Sequence, residues 1–244
     1  MSFQFLFTPF ENADHWLTDQ FAGAPLLVAI GIAALLGLRH ASDPDHLVAV
    51  TSLVASKDGN PRAAARLGAW WGFGHGTTLI LVGIPLILLK AEMPAWVEAT
   101  AEKGVAAVIL LLAGRVIWKW VRGDYRVGKH RHDHGRHRHL HHGDRHDHGT
   151  QRSPSQAFGI GLLHGLAGTG AVTVLLLAGL HGELEATAAL AVFAPMSMVS
   201  MAGFTTAFAW VLTRPAIEPI YRRVLIPAVG TFGVVFGLWY AGVA

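Results

Sequence analysis

The stretch RHASDPDH (39–46) places ionisable side chains between two apolar runs, PLLVAIGIAALLGL and LVAVTSLVA. Within a membrane span, an ionisable side chain costs about 2.5–3.5 kcal/mol, so a cluster of them needs a stabilising partner. Imidazole and carboxylate ligands together suit nickel, cobalt, zinc or iron, whereas calcium and magnesium sites consist mostly of oxygen. We therefore interpret His40, Asp43, Asp45 and His46 as a metal site.

A structural alternative explains part of this stretch. Ser42-Asp43-Pro44 is a helix-start signal, with Asp43 as N-cap and Pro44 at the first helical position. Asp45 would then favour the positive end of the new helix. Capping does not account for the two imidazoles. In addition, Asp43 and His46 are three residues apart and would therefore lie on one face of the helix.

Two further histidines are candidate ligands. His75 lies in WWGFGHGTT, where Gly72, Gly74 and Gly76 allow neighbouring helices to approach closely. Its alternative is a hydrogen-bonded packing residue. His164, in HGLAGTG, is a gate or a single ligand, because Ala167 and Thr169 stand where a second pair of carboxylates would be needed. The methionines Met196, Met198 and Met201 are interpreted as core packing.

A histidine-rich stretch, KHRHDHGRHRHLHHGDRHDHG (129–149), contains nine of the 15 histidines and has no apolar periodicity. Such a composition predicts a disordered segment that binds late first-row metals reversibly. The alternative is a soluble linker, which would not require imidazole.

The composition indicates a membrane protein. Of 244 residues, 52% are hydrophobic and 14% are charged, compared with about 25% charged in soluble domains. The sequence pI near 9.5 does not indicate nucleic-acid binding, because the basic residues flank apolar segments and form no patch interleaved with aromatic residues. The chain has no cysteine, which excludes disulfides and thiolate metal ligands.

Six membrane spans are predicted from segments of roughly 20 apolar residues. Four are continuous: Leu67–Leu89, Gly104–Val121, Ala186–Leu212 and Val224–Val243. Two are interrupted, Pro25–Leu38 with Leu47–Ala55 and Ala157–Leu163 with Ala171–Leu180. The connections Ser56–Arg66, Arg122–Arg152 and Thr213–Arg223 are basic and alternate with acidic ones, which predicts that both termini lie outside the cytoplasm.

A weak internal repeat supports this count. GLRHASDPDHLVAVTSLVA (37–55) aligns with GLLHGLAGTGAVTVLLLAG (161–179), pairing His40 with His164. A three-span unit repeated once inserts in opposite orientations, and such inverted repeats with broken helices are a recurring transporter design. The expected fold is all-α, with six transmembrane helices in two inverted three-helix repeats and broken helices 1 and 4. The expected parts are an extracytoplasmic segment (1–23), the first repeat (24–121), a cytoplasmic, His-rich and disordered loop (122–155) and the second repeat (156–244).

These residues resemble a known family. RHASDPDH contains His-x-x-x-x-Asp-His (His40, Asp45, His46), and WWGFGHGTT resembles a second motif of the nickel/cobalt transporter superfamily. The likeness runs from about Leu26 to the end and is closest to a short six-span branch associated with metal supply to urease or hydrogenase. The chain departs from the eight-span members, which usually have Asp-Ala-Asp at the position of Asp43-Pro44-Asp45, and its His-rich loop is similar to that of efflux relatives.

The resemblance implies an inner-membrane permease for Ni²⁺, with Co²⁺ as the alternative cargo, and no prosthetic group. Uptake is favoured, with efflux as the alternative. The expected site comprises His40, Asp43, Asp45, His46, His75 and His164. The expected partners are the metal ion, the lipid bilayer and, on the cytoplasmic side, metallochaperones or metalloenzyme maturation proteins. An intramembrane metal-dependent enzyme and a metal-sensing accessory subunit are the alternatives of another class, although no His-Glu-x-x-His pattern is present.

Overall fold

The computed structural model describes residues 25–55, 61–123, 126–128, 131–132, 135–136, 139–141, 153–180, 182–212, 214 and 220–242. The N-terminal segment 1–23 and six of the nine histidines of the His-rich loop lie outside these residues.

Eight α-helices form in the described residues, and two π-helical turns, Leu79–Gly83 and Tyr221–Leu225, continue them. The helices are α1 (Leu26–His40), α2 (Pro44–Ala55), α3 (Pro61–Thr78), α4 (Ile84–Leu89), α5 (Ala95–Val121), α6 (Pro154–Gly179), α7 (Glu183–Leu212) and α8 (Ile226–Tyr240).

Four helical segments among the described residues are long and apolar enough to cross a membrane: Arg62–Leu89, Ala95–Val121, Glu183–Val211 and Arg223–Tyr240. They coincide with the four continuous spans expected from the sequence. The segment Leu26–His40 is a shorter apolar helix. These helices indicate a multi-pass membrane protein.

The first expected break is present between α1 and α2. Residues 41–43 form a tight turn in which Ser42 N donates to Arg39 O (2.8 Å) and Asp43 N donates to His40 O (3.2 Å). Asp43 O then accepts the first hydrogen bond of α2 from Leu47 N at 2.9 Å. Pro44 follows as the first helical residue, as its fixed φ and missing N–H favour.

The expected break in helix 4 is wrong. Residues 154–179 form one continuous helix, α6, which begins with a capping box made by Ser153 and Gln156. The glycines around His164 serve in close packing instead of a break. A Cβ at Gly165 would lie 2.5 Å from the His75 carbonyl oxygen, and one at Gly161 would meet the Trp71 carbonyl oxygen. Glycine therefore lets α6 approach the backbone of α3.

Each π-helical turn ends two residues before a proline, Pro85 in one case and Pro227 in the other. Proline lacks an N–H, and its ring clashes with the carbonyl group four residues earlier. A wider π turn removes that clash without ending the helix. The long apolar segments containing these prolines therefore remain helical.

Four short strands lie within the predicted disordered loop, and they form two antiparallel pairs. Arg126–Gly128 (β1) pairs with His139–His141 (β4), and Arg131–His132 (β2) pairs with Gly135–Arg136 (β3). The sequence pattern did not predict these strand pairs. Outside these strands the described chain is helical, turn or irregular.

The helices of the first half pack mainly against those of the second half. The main contacts are those of α1 with α7, of α3 with α6 and α7, and of α5 with α8. Met198 contributes to this packing, since its side chain fills the space beside Gly76, and Met201 is completely buried. These contacts agree with the interpretation of the methionines as core residues.

Candidate metal centre

Four helix segments contribute side chains to one buried cluster. His40 is the last residue of α1, and Asp45 and His46 lie in the first turn of α2, directly after the break. His75 comes from α3 and His164 from the middle of α6. The break allows residues before and after it to face the same point, which a continuous helix would not permit for all three.

One group of possible ligand atoms consists of histidines only. His40, His46 and His75 each offer a nitrogen, and these atoms lie within 4.8 Å of one another. The Nε2 atoms of His40 and His75 are 3.0 Å apart.

A second group shares His46 and adds a carboxylate. Atoms of Asp45, His46 and His164 lie within 4.8 Å of one another. The two oxygens of Asp45 have different partners: Oδ1 is 3.0 Å from His46 Nδ1, and Oδ2 is 2.7 Å from His164 Nε2. Asp45 therefore fixes the orientation of two imidazoles at once.

Asp43 is placed behind His40. Its Oδ2 lies 3.1 Å from His40 Nδ1, and its Oδ1 lies 3.4 Å from Arg39 Nη2. Within the part of the chain that the structure describes, Asp43 belongs to neither of the two groups of possible ligand atoms. A carboxylate in this position holds the proton of His40 on Nδ1, so His40 Nε2 accepts a hydrogen bond from His75 Nε2 or binds a metal in its place.

The centre is buried and polar. His46, His75 and His164 are 2%, 1% and 4% exposed. In the described part of the chain, His46 Nε2 and His75 Nδ1 are buried side-chain nitrogens with no hydrogen-bond partner. A buried polar atom without a partner costs about 1–3 kcal/mol, and such atoms in native structures commonly mark a function.

Two aromatic side chains, which the sequence analysis did not include among the site residues, form walls of the centre by packing against its histidine rings. The ring of Trp71 lies 5.5 Å from that of His46 and 5.7 Å from that of His164, measured between centroids. Phe193 lies 5.3 Å from His40. Trp71 had a usable signal in the sequence, because it precedes His75 by four residues and so shares its helix face.

The donor set fits a divalent late transition metal. The nitrogens of His40 and His75 share a hydrogen bond of 3.0 Å, and an ion with ligands about 2.1 Å away could take the place of its proton. Tetragonal nitrogen and oxygen ligation is typical of Ni²⁺ and Cu²⁺. Fold and site together define a multi-pass membrane protein with a buried His/Asp centre suited to such an ion.

Comparison with known proteins identifies the family. The family model NicO, described as a high-affinity nickel-transport protein, matches residues 26–213. The chain belongs to this family, which confirms the resemblance drawn from the two histidine motifs. Because the family consists of transporters, the protein is a member of a transport family and not of an enzyme family.

Named relatives agree with this assignment. A urease accessory protein, UreH, of Bacillus sp. (strain TB-90) is 27% identical over 216 residues, covering 88% of this chain and 91% of that protein. A high-affinity nickel transport protein of Cupriavidus necator is 28% identical over 38% of this chain and 27% of its own length. A hydrogenase nickel incorporation protein, HupN, of Bradyrhizobium diazoefficiens is 34% identical over 30% of this chain and 19% of its own length. No solved structure matches the chain significantly.

Proposed function

We propose that this protein carries Ni²⁺ across the inner membrane into the cytoplasm, with Co²⁺ as the alternative cargo. The observation that supports the proposal most directly is the convergence of four histidines and Asp45 at a helix break. In this proposal His40, Asp45, His46, His75 and His164 bind the ion, and Asp43 orients His40. Family membership supports nickel as the cargo.

The donor types support selectivity for this class of ion. Imidazole nitrogen replaces water around Ni²⁺ but binds Mg²⁺ and Ca²⁺ poorly, since those ions prefer oxygen. The carboxylate of Asp45 compensates part of the ion's charge in a medium of low dielectric constant. The aromatic walls exclude water around the histidines and so strengthen both effects.

The helix break supports a route through the membrane. Backbone groups that leave a helix at membrane depth need partners, and lipid supplies none. Here the turn at 41–43 is stabilised by its own hydrogen bonds and by Ser42 Oγ, which donates to Arg39 O at 2.6 Å. We propose six spans with both termini outside the cytoplasm, arranged as two inverted repeats in which α1 and α2 together correspond to α6.

Uptake needs no separate energy source. A doubly charged ion moving inward gains about 4.6 kcal/mol per 100 mV of membrane potential. Relatives named as urease accessory and hydrogenase nickel incorporation proteins suggest that the delivered metal serves enzyme maturation on the cytoplasmic side. Metallochaperones or maturation proteins are the proposed recipients.

The deciding experiment measures ⁶³Ni²⁺ movement in right-side-out and inverted membrane vesicles. Potential-driven uptake into right-side-out vesicles is expected, and Asp45→Asn should reduce it at least about tenfold, the loss typical of altered metal surroundings. Glu92→Gln, which removes an exposed carboxylate, is the matched control and should leave uptake unchanged.

The other outcomes of this experiment are equally clear. Accumulation only in inverted vesicles, driven by a proton gradient, would make the protein an exporter. In that case the His-rich loop would collect the metal in the cytoplasm. Absence of movement in both preparations would contradict transport and favour a metal-sensing subunit.

A further inference from the structure

We infer that the centre holds the ion in two alternative positions and that His46 passes it from one to the other. The first position lies beside His40 and His75, and the second lies beside Asp45 and His164. This inference rests on the proposed function, because it describes how the transported ion moves within the centre.

The first position is built from neutral nitrogens. Asp43 holds His40 Nδ1 at 3.1 Å, so His40 offers Nε2, which lies 3.0 Å from His75 Nε2. Asp45 holds His46 Nδ1 at 3.0 Å, so His46 offers its buried and unpartnered Nε2. Three imidazoles therefore surround the first position.

The second position lies on the other edge of the His46 ring. Asp45 Oδ1 faces His46 Nδ1, and Asp45 Oδ2 lies 2.7 Å from His164 Nε2. For an ion to bind here, the protons on His46 Nδ1 and His164 Nε2 pass to the hydration water of the ion, and each ring takes up a proton from water on its other nitrogen. The ion is then bound by one carboxylate and two neutral imidazoles. The carboxylate gives this position a negative charge that the first position lacks.

The two positions exclude each other because they share one ring. A neutral imidazole has one N–H and one nitrogen with a free lone pair. When the His46 proton is on Nδ1, Nε2 binds an ion in the first position; when it is on Nε2, Nδ1 binds an ion in the second. The ring is neutral in both states, because the proton that leaves Nδ1 passes to the hydration water of the ion and Nε2 takes up one proton from that water, so His46 exchanges no net proton.

The end ligands are fixed, and the shared ligand is on the broken helix. His75 and His164 belong to α3 and α6, which are joined by close glycine packing and by Thr78 Oγ1 donating to Leu162 O at 3.0 Å. Their ring centroids are 6.0 Å apart, so the ion moves only a short distance. His46 lies at the start of α2, next to the turn that separates α2 from α1.

The test compares His164→Gln with His75→Gln. Glutamine at 164 can still donate a hydrogen bond to Asp45, but it has no imidazole lone pair for the metal. The nine histidines of residues 129–149 are themselves expected to bind Ni²⁺, so the binding measurements use a chain in which these nine are replaced by asparagine, and this chain serves there as the wild type. We expect it to bind one Ni²⁺ in equilibrium dialysis. The His164→Gln protein should bind one Ni²⁺ within about threefold of wild-type affinity, while its ⁶³Ni²⁺ transport in proteoliposomes falls at least about tenfold. The His75→Gln protein should lose about tenfold or more in affinity.

Three results would overturn the inference while leaving nickel transport intact. Two Ni²⁺ ions per chain, measured with the nine histidines of residues 129–149 replaced, would show that the positions do not exclude each other. An affinity loss in His164→Gln as large as that in His75→Gln would indicate one joint site. Transport by His164→Gln at the wild-type rate would mean that His164 only positions Asp45. Stoichiometric Ni²⁺ binding by a variant shows that the variant is folded. A wild-type protein that moves no Ni²⁺ would overturn the proposed function and this inference with it.

Discussion

Individual carboxylates in the centre have different positions relative to the histidines. Asp45 stands between two imidazoles, 3.0 Å from one and 2.7 Å from the other. Asp43 lies behind His40 and also faces Arg39, which compensates part of its charge. Asp43 thus resembles the outer carboxylates that orient histidine ligands in metal sites, while Asp45 is close enough to become a ligand itself.

We expect Asp43→Asn and Asp43→Leu to differ in Ni²⁺ affinity. Asparagine can still accept the hydrogen bond from His40 Nδ1, so its dissociation constant should stay within about threefold of wild type. Leucine cannot accept it, and the constant should rise about 10- to 100-fold. Isothermal titration of the purified protein, with the nine histidines of residues 129–149 replaced by asparagine, measures both values. Equal losses in the two variants would show that the charge of Asp43 matters and that its hydrogen bond does not.

At the scale of the elements, the centre combines one interrupted helix with two tightly packed ones. The break at 41–43 turns His40 and His46 toward the same point, and their ring centroids are 4.4 Å apart. Gly161 and Gly165 bring α6 against the backbone of α3, which places His164 near His75. The separation of α3 and α6 therefore sets the size of the centre.

Gly165→Ala should disturb both stability and binding. The added Cβ would lie 2.5 Å from the His75 carbonyl oxygen, so the two helices must separate. Overpacking of this kind costs about 1–3 kcal/mol. We expect a lower thermal unfolding midpoint in detergent and weaker Ni²⁺ binding.

Gly168→Ala on the same helix is the matched control. A Cβ at Gly168 would meet no atom within 4 Å, and alanine favours a helix by about 1 kcal/mol over glycine. The unfolding midpoint of this variant should be unchanged or higher. A midpoint lowered equally in both variants would mean that close packing at Gly165 is not the cause.

At the scale of the whole molecule, the two halves of the chain form one interlocked bundle. Helix α1 packs on α7, α3 packs on α6 and α7, and α5 packs on α8. Lys90, at the end of α4, also pairs with Glu183 at the start of α7. The pair is exposed, so it contributes little to stability, as is usual for surface ion pairs. Neither half can form the centre alone, because His164 comes from the second half.

The absence of cysteine in the sequence allows a direct test of orientation. Helix α5 has 27 residues and is about 40 Å long, enough to cross a bilayer core of about 30 Å. We expect a membrane-impermeant maleimide to label Glu92→Cys in intact cells and Arg122→Cys only after permeabilisation. The wild-type protein serves as the unlabelled control. The reverse pattern would invert the proposed topology, and labelling of both from outside would mean that α5 does not cross the membrane.

Much of this protein is determined locally by the sequence. The four continuous spans follow from long apolar runs, since length and hydropathy require no knowledge of neighbouring helices. The break before Pro44 follows from Ser-Asp-Pro, because helix-start signals act through adjacent backbone groups. The chemistry of His40, Asp45, His46 and His75 likewise depends on side-chain type, and it led to the correct family.

Only the tertiary structure decided how distant residues meet. The glycines around His164 predicted a second helix break, but in the structure they form a packing surface. The sequence alone does not show whether a glycine ends a helix or allows a neighbouring helix to approach closely. Asp45 and His164 are 119 positions apart and meet at 2.7 Å because α2 and α6 both pack against α5. Trp71 and Phe193 became walls for the same reason. The sequence alone determined which donors are available and where the first helix breaks, whereas long-range packing decided which donors share His46.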